Sequence, residues 1–104
     1  MQFEIAKPRK LSTNEIEAEI IHIDHFGNLI INLKREDLLE NFVIKVTEKQ
    51  IAKHLKYYAE AEKGEILSIF GSAGFLEIVA FQDSANVLLN VKIGDKIFVT
   101  RGAN

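Results

Sequence analysis

From Ile16 onward, apolar and polar positions alternate. Ile16, Ala18 and Ile20 fall on one side of an extended chain, and Glu17 and Glu19 on the other. That period of two predicts a strand running to Ile23, where Phe26-Gly27-Asn28 interrupts it. Leu29 to Leu33 reads as the partner strand of a hairpin folded about the Gly-Asn pair. Lys34 to Asn41 (KREDLLEN) is charged, offers Leu38 and Leu39 as its apolar contact, and predicts one or two helical turns. Alternation resumes with Phe42, Ile44 and Val46, whereas Glu48 to Leu55 fits a strand or a helix equally well. Ala61-Glu62-Lys63-Gly64 predicts a turn, and Gly71-Ser72-Ala73-Gly74 a hairpin-like loop between strands Glu65 to Phe70 and Phe75 to Phe81. Asp83 suits the N-cap of a short helix from Ser84 to Leu89. Gly94-Asp95 then turns the chain into a last strand, Lys96 to Thr100. About seven short strands punctuated by glycine turns predict a mostly β fold, a small closed or partly open barrel with one or two short helices.

The length of 104 residues fits one domain. Met1 to Asn14 holds the only proline, Pro8, among Lys7, Arg9 and Lys10, and reads as a linker or arm; residues 15–104 form the barrel domain. With 13 basic and 15 acidic side chains the formal charge is −2, which removes the main driving force for nonspecific nucleic-acid binding. Cysteine is absent, so disulfides, thiolate nucleophiles and sulfur-ligated metals are excluded. No apolar run reaches the length of a membrane span, and MQFEIAKPRK lacks a signal peptide's apolar stretch. The expectation is a cytoplasmic protein with no membrane or nucleic-acid partner.

Three segments set small residues beside polar groups at strand ends. In His22-Ile23-Asp24-His25-Phe26-Gly27-Asn28, His22 and Asp24 share a strand face and the glycine permits a tight bend. An aspartate can hold an ammonium, a phenylalanine can stack on a flat ring, and an asparagine can both donate to and accept from a heterocycle edge. In Gly71-Ser72-Ala73-Gly74 the glycines free backbone amides and the serine can bind a carboxylate. Asp83-Ser84-Ala85-Asn86 exposes main-chain groups at a helix start. Taken singly, each segment is also ordinary turn or cap chemistry. His22 and His25 fall on opposite faces of an ideal strand and His54 lies far along the chain, so no metal site is expected.

Taken together and in order, these segments resemble a known pattern. Ile21-His22-Ile23-Asp24-His25-Phe26-Gly27-Asn28-Leu29-Ile30-Ile31-Asn32 looks like the signature opening the C-terminal domain of the S-adenosylmethionine hydroxide adenosyltransferases, relatives of the S-adenosylmethionine-dependent chlorinase and fluorinase. Gly71-Ser72-Ala73-Gly74-Phe75-Leu76-Glu77-Ile78 looks like the second signature, and Tyr58-Ala59-Glu60 resembles the tyrosine-alanine step between them. Asp83-Ser84-Ala85 and the closing Val91 to Val99 complete a likeness that spans Ile20 to Thr100.

The resemblance implies a barrel packed against a larger N-terminal domain that is absent from this chain. It also implies a homotrimer whose ligand lies between one subunit's C-terminal domain and its neighbour's N-terminal domain. The substrate would be S-adenosylmethionine, hydrolysed to adenosine and methionine without a cofactor. By motif position, Asp24 would take the methionine ammonium, Phe26 and Asn28 the adenine, and Ser72 the methionine carboxylate. Tyr58 would form an aromatic wall, and the main chain near Ser84 and Ala85 would read the adenine edge. No catalytic residue is implied here, since the family's water-activating aspartate, arginine and histidine belong to the N-terminal domain, so this chain alone is expected to be inactive. Ala73 stands where the halogenating members carry an arginine, which favours hydrolysis; Ile31 replaces a threonine, and Asp83 and Asn86 replace small residues. A stand-alone barrel interaction module that has lost catalysis is the alternative. An oligonucleotide-binding barrel would need a basic groove with spaced aromatics, against a charge of −2.

Overall fold

The computed structural model describes residues 7–38, 42–51, 54 and 62–101. Its strands are β1 (Arg9–Ser12), β2 (Glu15–Ile23), β3 (Leu29–Lys34), β4 (Phe42–Val46), β5 (Lys49–Ile51), β6 (Ile66–Phe70), β7 (Phe75–Ala80) and β8 (Lys96–Arg101). One short helix, α1 (Ala85–Leu89), and a single 3-10 turn at Arg35–Asp37 complete the described elements. Seven strands form an antiparallel sheet in the order β5-β4-β8-β2-β3-β7-β6, and β1 pairs with β2 beside it. His54, just beyond β5, bridges to Ser68 of β6, so the two ends of the sheet meet and the barrel is nearly closed. The mostly β barrel read from alternation is therefore the observed fold.

The barrel closes because one face of each strand is aliphatic. Ala18, Ile20, Leu29, Ile31, Leu33, Ile44, Val46, Leu76, Ile78, Ile97 and Val99 point inward and are nearly or wholly removed from water. A strand whose alternate side chains are buried must keep its register, since a slip of one residue would turn this set out to solvent. β1 lies within the segment read as a linker or arm, and all of its residues are exposed.

The structure adds a bulge to β2 and moves the helix cap by one residue. Strict alternation puts His22 and Asp24 on the same side as Ile20. In the barrel Ile20 pairs with Ile31 but His22 pairs with Ile30, so one residue is accommodated as a bulge between them. The bulge reverses the facing of everything after it, leaving Ile20 in the core and His22 exposed. The helix cap is corrected. Ser84, not Asp83, is the N-cap: its Oγ accepts the Val87 N–H at 3.3 Å, and the helix begins at Ala85. Asp83 is drawn back into a turn by its own N–H, which donates to the Ala80 carbonyl at 3.1 Å. Its carboxylate instead accepts the Ser84 N–H at 2.8 Å.

The undecided stretch from Glu48 contains β5, entered through a tight turn in which Thr47 has φ 54°. Leu55 lies outside the described residues.

Candidate ligand-binding face

The β2–β3 loop is organised by Asp24. One carboxylate oxygen accepts the N–H groups of Phe26 and Asn28, each at 2.9 Å, and the other accepts the Asn28 side-chain amide at 3.1 Å. Two main-chain bonds, both 3.0 Å, tighten the same turn: the Asp24 N–H donates to the Asn28 carbonyl, and the Gly27 N–H to the Asp24 carbonyl. With its backbone pinned in this way, Phe26 is thrust outward and is 73% exposed. The His25 ring meets it edge-on at 5.4 Å between centroids.

Gly27 seats this loop against the start of α1. Its φ of 83° is left-handed, and a Cβ there would collide with the side chain of Ser84. The Gly27 carbonyl accepts the Asn86 N–H at 2.9 Å. The loop and the helix start are thus one packed unit. Between them opens a groove of about 600 Å³ lined by Phe26, Asn28, Ala80, Phe81, Gln82, Asp83 and Ser84. An exposed aromatic face beside an amide and a strip of backbone suits a flat heterocycle.

The structure unites Asp24, Phe26, Asn28 and Ser84 at this end of the barrel. Ala85 is wholly buried, and its side chain is not part of the groove lining. Ser72 is exposed in the β6–β7 hairpin, at the opposite end of β7 from Ala80. That hairpin is closed by the Gly71 N–H donating to Phe75 O at 2.9 Å and the Gly74 N–H to Gly71 O at 3.0 Å. Tyr58 lies outside the described residues.

Residue-by-residue reading missed Glu77, together with Phe81 and Gln82 of the groove. Glu77 is an acid in mid-strand between two buried residues, Leu76 and Ile78, and that placement was the available signal. It pairs with Ile30 of β3 and Ile69 of β6, and its carboxylate lies over Gly71. Burial, and then the charge of Asp24, push its carboxyl above the usual range. Among the described residues no group of three or more His, Asp or Glu side chains is placed to hold a metal. No described helix is long and apolar enough to cross a membrane.

A relative from Methanocaldococcus jannaschii named (R)-S-adenosyl-L-methionine hydrolase is 37% identical over 94 residues, covering 81% of this chain and 35% of its own. The chain thus spans about a third of that relative's length. Among solved structures, a conserved protein from Thermotoga maritima superposes with a TM-score of 0.78 at 28% identity, over 95% of this chain and 40% of that one. A conserved hypothetical protein from Thermus thermophilus gives 0.67 at 26% identity, over 80% and 32%. The pattern described as the SAM hydroxide adenosyltransferase C-terminal domain matches residues 18–98, most of the barrel, and the chain belongs to that family.

Proposed function

We propose that this barrel is the adenosyl-binding part of an S-adenosylmethionine hydrolase. The observation that carries the reading is the groove beside Phe26 and Asn28, whose lining falls within the matched family segment. Adenine stacks on the exposed Phe26 ring while Asn28 and the main chain around Ser84 meet its edge. The methionine end runs down the outer face of β7, with its ammonium toward Asp24 and its carboxylate toward Ser72. Tyr58 is a further ligand contact that the resemblance implies by motif position alone.

The reaction is attack of water on C5′ of the sulfonium, releasing methionine as the leaving group and a proton to solvent. Binding of this kind serves the reaction by fixing the ribose carbon and excluding bulk water. Activation of the water falls to an N-terminal domain, supplied by the neighbouring subunit of a cytoplasmic homotrimer. The isolated chain is therefore inactive.

Titration of the isotopically labelled chain with adenosine, followed by NMR, tests the site. Shifts should centre on Phe26, Asn28 and residues 80–84, and Phe26→Ala should weaken binding by roughly 1–3 kcal/mol, the worth of base–aromatic stacking. Shifts confined to another face would refute the assignment. Adenosine release from S-adenosylmethionine by the pure chain would place the chemistry here instead.

A further inference from the structure

Asp24 is the carboxylate assigned above to the ligand's ammonium, yet most of its acceptor capacity is already committed. A carboxylate offers about four lone-pair sites, and an ammonium brings three donors. Three of the Asp24 sites are taken by Phe26 N, Asn28 N and Asn28 Nδ2. Little is left for a second group with several hydrogens to place.

Glu77 supplies what Asp24 lacks. It stands on the outer face of β7, opposite Ile30, and Ile30 is opposite His22, two residues before Asp24. Its Cδ lies only 2.6 Å from where a Cβ on Gly71 would sit, so the carboxylate is laid across the backbone immediately before Ser72. Glu77 thus lies beside the Ser72 loop, and near enough to the Asp24 turn for the Asp24 charge to act on it. Among the described residues, no hydrogen bond or ion pair meets its carboxylate. Without a cation, the free protein holds this carboxylate against desolvation and a like charge, with no compensating contact. A cation placed between the two carboxylates would relieve both.

We propose that Glu77 is a ligand-binding residue that receives, together with Asp24, the ammonium of the amino-acid end of an adenosyl ligand. The missing side chain at Gly71 leaves the space in which this carboxylate lies beside the loop. The inference rests on the proposed function. It adds a selectivity: the site distinguishes adenosyl amino acids from adenosine by two carboxylates, with Asp24 also holding the adenine-binding loop in shape.

The test compares the wild-type chain with Glu77→Gln in NMR titrations against four probes. S-adenosylmethionine carries ammonium and sulfonium, S-adenosylhomocysteine carries the ammonium alone, and 5′-methylthioadenosine and adenosine carry neither. Glu77→Gln should weaken the first two alike, by about tenfold, as loss of a charged hydrogen-bond partner does, and leave the last two unchanged. Weakening of S-adenosylmethionine alone would move Glu77 to the sulfonium and overturn the ammonium assignment. Equal weakening of all four would show a structural role only. Unchanged affinities throughout would overturn this inference while leaving the adenosyl site intact. No binding of any probe to wild type, up to the solubility limit, would overturn the proposed function and this inference with it.

Discussion

Gly27→Ala tests how the loop that carries Phe26 and Asn28 is locked to the start of α1. An alanine at φ 83° incurs the left-handed penalty, about 1–2 kcal/mol. Its Cβ also meets Ser84, whose Cβ lies at 2.9 Å and Cα at 3.2 Å from the new atom. Backbone at that distance cannot rotate away, so the loop and the start of α1 must part. Overpacking of this kind typically costs about 1–3 kcal/mol, and displacing Ser84 weakens its cap on Val87. The total is about 3 kcal/mol, a large fraction of the roughly 5–15 kcal/mol that holds a domain folded. Gly64→Ala is the matched control: its φ of 80° carries the same backbone penalty, but nothing lies within 4 Å of the added carbon. Urea denaturation of both variants should therefore show Gly27→Ala lower than Gly64→Ala by at least about 1 kcal/mol. Amide shifts in Gly27→Ala should spread from Phe26 and Asn28 to Ser84 and Asn86, because the Gly27 carbonyl bonds the Asn86 N–H. Equal losses in the two variants would falsify the lock between loop and helix.

Other substitutions probe the remaining contacts. Phe26→Ala should change the urea midpoint by less than the equivalent of about 0.5 kcal/mol, since the ring is largely exposed; a larger loss would make the ring structural. The fold holds the His54 imidazolium below its ordinary value of 6.5, through burial first and then the Arg35 charge. Its contribution is complete above that value and is lost as pH falls toward the folded one. Urea midpoints of the wild type should accordingly decline on acidification through this window, and His54→Gln should decline less; parallel curves would remove His54 from the acid limb. Glu77 works in the opposite sense, since its carboxyl is raised above 4.5 and stability is lost as pH rises from there through the folded value. Glu77→Gln should thus be more stable than the wild type at neutral pH, with the advantage shrinking in acid, and a destabilised variant at neutral pH would contradict the unpartnered state of the carboxylate.

Much of the barrel was legible because its strands have one wet and one dry face. Ile44 and Val46, or Leu76 and Ile78, mark the inward side without reference to any other part of the chain. The order of strands was not written locally. β8, last in sequence, lies between β4 and β2, a pairing set by which edges remain open once the hairpins have formed. Turns without glycine or proline were equally hidden: Thr47 at φ 54° and Gln82 at φ 55° adopt left-handed backbone with no sequence signal for it. The helix start was misplaced by one residue because Asp83 and Ser84 are both good caps, and only the turn from Ala80 decides between them. Glu77 escaped notice as a site residue because a strand acid reads as a solvated side chain until the backbone of Gly71 is found beneath it.

The bulge between Ile20 and His22 ties the barrel's register to the candidate site. Before it, β2 is an ordinary barrel strand with Ala18 and Ile20 in the core. Beyond it, the same parity of residues faces out, so the continuous series Ile16, Ala18, Ile20, His22, Asp24 serves two purposes. Had the register run without interruption, Asp24 would point into an aliphatic core, where an unpaired carboxylate is prohibitive. Its three loop hydrogen bonds would be lost, and Phe26 and Asn28 would have no fixed positions. The extra residue disturbs little because it lies near the end of the β2–β3 pairing, where only His22 and Ile23 remain to be matched. A single irregularity in one strand thus converts the edge of a stable core into a face that presents an aromatic ring, an amide and the Asp24 carboxylate. The chemistry of that face depends on the core register, and substitutions at Ile20 or Ile31 act on both.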